Sequence, residues 1–188
     1  MLLSLVPQSP NVSATSGFND AFGSYSSLIE QTYASLSWVG VQLYNSGCDL
    51  GIDAVCYDPN DVTSPNFSVA IATDLLADWP GTNGVGQATG FQPYVSHLAP
   101  SQVVLGYPAP DGSGVADGSP VTPAATIKRA IACLETGVVS PTSCDSFVPP
   151  KVYPKMGGVF DWEVVHDQGA SFAFATQLAP CATAGACD

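Results

Sequence analysis

Near the C-terminal end, Gly157 to Gly169 reads GGVFDWEVVHDQG, with Trp162 set between Asp161 and Glu163 and with His166 and Asp167 close behind. Two kinds of chemistry use such residues. Paired carboxylates can cleave a glycosidic bond, one as acid and the other as base or nucleophile. A Trp face can instead carry the apolar side of a sugar while nearby donors and acceptors fix its hydroxyls. On a strand the two uses compete, because successive side chains alternate between faces. Asp161 and Glu163 share one face and Trp162 takes the other, so if Trp162 points into a site, both acids point towards helices or solvent. Composition alone leaves Trp162 open as core residue or sugar platform, and leaves the acids as polar trim of a strand end.

Other catalytic constellations are poorly served. His97 falls in a polar loop and His166 just past a strand, and neither has a Ser or Cys in a nucleophile elbow to activate; both read as surface or hydrogen-bonding histidines. GxSxG, HExxH and GxxxxGK[ST] are absent, and GVGQATG from Gly84 lies in a long loop rather than between a strand and a helix. The six cysteines, Cys48, Cys56, Cys133, Cys144, Cys181 and Cys187, fall into three local couples with no CxxC and no paired His. That spacing suits disulfides better than metal, although six cysteines allow about fifteen pairings. No cofactor and no metal are expected, and the bridges point to an oxidising, extracellular setting.

The chain has 188 residues with 16 acids against 4 Lys and Arg, a formal charge of −12. Its length fits a single domain over residues 1–188. Such acidity repels phosphate backbones and anionic lipid, so nucleic acid and membrane partners are not expected, whereas neutral sugars are unaffected. No apolar run reaches the ~18 residues that span a bilayer. MLLSLVPQSP at the N-terminus lacks the basic region and the apolar length of an export signal, which reads as a fragment or a mature form. Asn11-Val-Ser13 and Asn66-Phe-Ser68 match the glycosylation pattern.

Hydrophobic periodicity orders the elements. Leu2 to Val6 reads as a buried strand, and Tyr25, Leu28, Ile29, Thr32, Tyr33 and Leu36 recur at helical spacing. Trp38 to Tyr44 (WVGVQLY) is the second strand. Phe67, Ile71, Leu75 and Trp79 mark a helix that starts at Ser64-Pro65-Asn66 and stops at Pro80-Gly81. Gln102 to Tyr107 is the third strand, and a helix follows with Thr122 as cap, Pro123 first, Ile127, Ala130, Ile131 and Leu134 as its stripe and Gly137 at its end. Gly157 to Val165 is the fourth strand, and Phe172, Ala175 and Leu178 lie on a last helix. Apolar strands alternating with helices argue a parallel sheet with right-handed crossovers, either an open four-stranded sheet or half of an eight-fold barrel.

In such a sheet the functional groups gather beyond the carboxyl ends of the strands. Those ends are Pro7, Gln8 and Ser9; Gln42, Tyr44, Asn45 and Ser46; Tyr107, Pro108 and Ala109; and Asp161, Trp162, Glu163 and His166. Together they offer aromatic faces, amides and a few acids; Tyr44 reads equally as a plug of the barrel mouth.

Five segments carry a family resemblance. VQLYN (Val41–Asn45), VVLGYPAP (Val103–Pro110) and GGVFDW (Gly157–Trp162) resemble the last three barrel strands of family 18 glycoside hydrolases, nearest to the bacterial and fungal chitinases with a QxYN strand. LSLVPQSP (Leu3–Pro10) resembles the strand before them, and CLETGVVSPTSCDSFVP (Cys133–Pro149) their two-cysteine stretch before the final strand. The resemblance implies α/β architecture, with parallel βα units corresponding to strands five to eight of a (β/α)8 barrel. It implies a Trp162 floor under the −1 sugar, Tyr44 on the acetamido group of the substrate, and Gln42, Asn45 and Gln8 around the same subsite. The ligand it implies is chitin or a chitooligosaccharide. Catalysis in that family is substrate-assisted: an acid protonates the glycosidic oxygen while the acetamido oxygen attacks the anomeric carbon.

One departure stands out. The family's acid lies in a DxxDxDxE run at the end of strand four, and this chain has none. The acids of DLGID (Asp49–Asp53) and DPND (Asp58–Asp61) have neither its spacing nor its preceding apolar strand. No residue here is therefore expected to be catalytic, and a single copy is expected not to hydrolyse chitin by the family mechanism. A half barrel also leaves two strand edges, Leu2–Val6 and Gly157–Val165, without neighbours. Either a second copy or a separate N-terminal half is expected to cover them.

Overall fold

The structure is a computed structural model and describes residues 2–14, 25–79, 94–110, 115–116, 119–139 and 143–182. Pro80-Gly81, the GVGQATG loop and Cys187 lie outside those residues. In chain order the elements are β1 (Ser4–Leu5), α1 (Tyr25–Thr32), β2 (Trp38–Gln42), β3 (Asp49–Leu50), β4 (Cys56–Tyr57), α2 (Asn66–Leu76), β5 (Val103–Pro108), β6 (Val115–Ala116), β7 (Ser119–Pro120), α3 (Ala124–Thr136), β8 (Gly158–Trp162), α4 (Val164–Gly169) and α5 (Ala173–Leu178). β1, β2, β5 and β8 form one sheet in that order, parallel throughout. The chain is thus an α/β half barrel, four parallel strands with helices in the crossovers.

Strand alternation explains how the two faces differ. Val39, Val41, Val103, Leu105 and Tyr107 are all within 1% of full burial and join Ile71, Leu75, Ile127 and Leu134 of the helices in one core cluster. The other face carries Trp38, Gly40 and Gln42, then Val104, Gly106 and Pro108, then Gly158, Phe160 and Trp162, aligned by register. In a closed barrel that face is the lumen. Phe160 lies over two glycines of neighbouring strands, and a Cβ on Gly106 would meet three atoms of its ring at under 3.0 Å. Glycine at 106 is the condition for the Phe160 ring to lie where it does. Gly106→Ala is therefore expected to cost about 2 kcal/mol, lowering the melting midpoint by about 4–8 °C; an unchanged calorimetric midpoint would show that Phe160 moves aside freely.

Several elements depart from the sequence expectation. The fourth strand ends at Trp162, not Val165, because the chain turns into α4, whose Val164 and Val165 are 64% exposed. The β-branched side chains of the two valines imitated a strand that has nothing to pack on beyond Trp162. His166 and Asp167 consequently sit on a helix. Strand one shrinks to Ser4–Leu5, and Leu2 is exposed rather than buried, since only β2 flanks it. β2 stops at Gln42, two residues short of Tyr44, and Gln102 belongs to a 3-10 turn (Pro100–Gln102) before β5.

Leu28 is exposed on α1, which gives way to a 3-10 turn at Tyr33–Ser35. α2 begins at Asn66 but ends at Leu76, three residues before Trp79. At α3, Pro123 occupies the capping position with no side-chain cap, so Thr122 does not cap it, while Gly137 ends the helix in the left-handed region at φ 66°. On α5 the buried residues are Phe174 and Leu178; Phe172 precedes the helix and is exposed, as is Ala175. The two short hairpins, β3–β4 and β6–β7, are too brief to show any periodicity.

Cys48–Cys56 closes the β3–β4 hairpin with Cα atoms 5.5 Å apart, and Cys133–Cys144 ties the end of α3 to the next loop with Cα atoms 4.8 Å apart. Cys181 is also disulfide-bonded. Both glycosylation patterns are structurally engaged. Asn11 is buried, and the Asn66 side chain donates to the Ser146 hydroxyl and accepts from the Phe147 amide, 2.8 and 3.1 Å away. Among the described residues no helix is long and apolar enough to cross a membrane, and no group of three or more His, Cys, Asp or Glu could hold a metal ion.

Candidate functional site

The strand register builds a row of side chains at the carboxyl end of the sheet. Gln8 bridges to Gln42, Gln42 pairs with Gly106 and Gly106 with Phe160. One step further out, Trp162 pairs with Pro108, and the Ala109 amide donates to the Trp162 carbonyl at 2.9 Å. Ladder partners face the same side of a sheet, so Gln42, Phe160 and Trp162 project together. They and Val6, Gln8, Tyr44 and Asn45 line one cavity of about 460 Å³. All five residues singled out in the sequence for sugar contact meet there.

Gln42 and Asn45 are held from behind. The Gln42 side-chain amide donates to the Val6 carbonyl at 2.8 Å, and its backbone amide donates to the Pro7 carbonyl at 2.9 Å. Asn45 leaves the end of β2 in the left-handed region at φ 54°, a conformation Asn tolerates better than most residues. There its backbone amide donates to Ser119 Oγ at 2.9 Å. Tyr44, between them, is 5% exposed. The residues following Gln8 and Asn45 meet too, with the Ser9 and Ser46 hydroxyl oxygens 3.0 Å apart. Both serines also hydrogen-bond Asp49. Trp162, by contrast, is 47% exposed and lies outside the core. An open aromatic face beside fixed amides is the arrangement a neutral, hydroxyl-rich ligand needs.

The acids around Trp162 face elsewhere. Asp161 alternates with Trp162 and lies with Val159, Phe174 and Leu178 at a recess of about 280 Å³ on the helix side of β8. Its carboxyl is pushed up mainly by burial, with the nearby Asp167 charge adding to it. Asp167 is itself structural: fully buried, it accepts the amides of Phe174 and Ala175 at 2.7 and 3.1 Å and so starts α5. Glu163 lies past the strand end, at the head of α4. His97 is an exposed residue stacked on Tyr33, with ring centroids 4.6 Å apart.

Three lining or supporting residues escaped the sequence reading. Phe160 could have been found, since it lies two residues before Trp162 and therefore on the same face. Val6 needed the register of β1, and Ser119 only a folded chain reveals, 74 residues from the side chain it holds.

No family model matches the chain. It is 28% identical over 163 residues to Chitinase D of Niallia circulans, covering 87% of this chain and 29% of that protein. The Legionella pneumophila ChiA C-terminal domain matches it with a TM-score of 0.91 at 57% identity, over 100% of this chain and 55% of the other. A family GH18 chitinase from Chromobacterium violaceum matches with a TM-score of 0.74 at 26% identity, over 95% of this chain and 44% of the other. The chain thus spans less than a third of the curated relative and about half of the solved structures. By sequence and by fold it is similar to family 18 chitinases, as a half barrel that matches about half of the solved structures.

Proposed function

We propose that this chain is the sugar-holding half of a chitinase-type site, binding chitin or N-acetylglucosamine oligomers and requiring a complementing N-terminal half for hydrolysis. The observation that carries this reading is the convergence of Gln8, Gln42, Tyr44, Asn45 and Trp162 on one cavity at the carboxyl end of the sheet. Trp162 takes the apolar face of the sugar, Tyr44 holds its acetamido group, and Gln42, Asn45 and Gln8 line the same subsite. With that group positioned, its oxygen is placed to attack the anomeric carbon once an acid protonates the leaving oxygen. The acid comes from the other half, because this sequence has no DxxDxDxE run. Its disulfides fit work outside the cell.

The complementing half also suits the open face. β1 and β8 each have one neighbour in the sheet, and Val6 and Trp162 are left exposed on that face. The same exposure favours the second reading, a catalytically inactive chitin-binding or self-assembling protein in which a second copy covers the face. Titration with chitotetraose, followed by tryptophan fluorescence, tests the binding reading, and saturable quenching is expected. A flat titration would remove it. Sedimentation of the chain alone separates the occupants: a dimer that dissociates only with denaturant would favour self-assembly.

A further inference from the structure

We infer that Ser119, on the β6–β7 hairpin, is a positioning residue that fixes which end of the Asn45 side-chain amide enters the cavity. This rests on the sugar-binding reading above and adds the polarity of one contact to it. The Ser119 hydroxyl accepts the Asn45 backbone amide at 2.9 Å and donates to Asn45 Oδ1 at 2.7 Å. Ser119 is 8% exposed, so its proton needs an acceptor inside the protein. A hydroxyl has one proton and two acceptor lone pairs. With the amide turned over, Ser119 would receive two donors and its own proton would lose the Asn45 oxygen. The carbonyl end of Asn45 is therefore taken by Ser119, and the NH2 end is what Asn45 offers to the cavity it lines.

The consequence is a donor at that point of the cavity wall, matched to an oxygen of the ligand. Gln42 is set in a related way: its Nε2 is drawn to the Val6 carbonyl, which leaves its carbonyl oxygen as the acceptor. The two amides thus present opposite polarity to the ligand. An N-acetyl group, which has one N–H and one C=O, is complementary to such a pair. The oxygen that Asn45 meets is that carbonyl or a ring hydroxyl, and oligomers with and without acetyl groups tell them apart.

The test uses the whole chain, with chitotetraose and its de-N-acetylated counterpart as probes. Ser119→Ala is expected to weaken chitotetraose binding about tenfold, while Ser119→Thr, which keeps the hydroxyl, stays within about twofold. Asn45→Asp, which has no donor when ionised, is expected to lose about as much with Ser119 in place. Loss confined to the acetylated oligomer assigns the acetamido carbonyl, and equal loss for both assigns a hydroxyl. Either supports the inference, whereas undiminished affinity in Ser119→Ala or Asn45→Asp overturns it. A readout without sugar keeps the two readings apart: the Asn45 13Cγ and NH2 resonances are expected to move in Ser119→Ala and to hold in Ser119→Thr. If the parent chain fails to bind but those resonances move, the sugar reading falls and the positioning role stands. If they do not move, the positioning role falls.

Discussion

Trp162→Ala is expected to weaken chitooligosaccharide binding by about 30- to 100-fold while leaving the melting midpoint nearly unchanged. Removing a Trp that acts as the anchor of a contact costs about 2–2.7 kcal/mol, which is that range of affinity. The fold is expected to tolerate the change because Trp162 is 47% exposed and stands outside the buried core. Phe160, one ladder step inward and lying on Gly106, continues to fill the sheet face. Tyr44→Phe makes the contrast, since it keeps the packing of a side chain that is 5% exposed and removes only a hydroxyl. Its cost is expected to be about tenfold. Isothermal titration with chitotetraose, alongside a thermal melt of each variant, checks both. A Trp162→Ala protein that binds like the parent would place the sugar elsewhere.

The second large effect concerns stability and pH. Asp49 and Asp74 are both buried, and Asp49 Oδ2 and Asp74 Oδ1 have no hydrogen-bond partner among the described residues. Burial pushes the Asp49 carboxyl from its ordinary 3.8 up to about 6, against the pull of its bonds to Ser9 and Ser46. Asp74 is raised well above the ordinary range, again mainly by burial, with the Ala14 and Ile52 amides opposing and the Asp49 and Asp53 charges adding to the rise. A carboxyl whose folded pKa lies above its unfolded value holds its proton more tightly when folded. Its contribution to stability is present below about pH 4 and is lost as pH rises through 6.

Acidification relieves repulsion throughout a chain of net charge −12, so the parent profile alone does not isolate Asp49. The comparison with Asp49→Asn does. That variant is expected to exceed the parent by about 2 kcal/mol at pH 7, below the limit of about 3 kcal/mol that two pKa units allow. The difference is expected to vanish near pH 4. Urea unfolding at the two pH values measures it, and a difference independent of pH would mean that folding does not raise the Asp49 carboxyl.

Some of this could be read from the sequence and some could not, for physical reasons. The cavity was legible through period-two alternation: placing Trp162 on one face and Asp161 on the other follows from chain geometry, and the structure keeps that order. The parallel sheet was legible because Trp38–Val41 and Val103–Tyr107 run apolar or small through both faces of their strands, as the strands of a parallel sheet covered on both sides do. Val164 and Val165 misled because β propensity reports packing, and nothing packs there. Phe172 misled in the same way on α5. Thr122 has the chemistry of a cap, but the helix begins one residue too late for it to act. The Ser119–Asn45 contact was out of reach, since it joins a hairpin of two-residue strands to a strand end far away in the chain. Asp49 stood out in the sequence only as an acid of DLGID without the spacing of the family motif; the fold shows that it is buried against Ser9 and Ser46.

The central claim is that this chain holds the sugar and another half supplies the acid. It is tested most directly by assaying a chromogenic chitobioside with the chain alone, and with the chain reconstituted with the N-terminal half of a family 18 chitinase barrel bearing its DxxDxDxE glutamate. The expected result is no turnover by the chain alone and turnover by the pair, abolished when that glutamate becomes Gln and strongly reduced by Trp162→Ala. Turnover by the isolated chain would contradict the account and would turn attention to Glu163, Asp161 and Asp167.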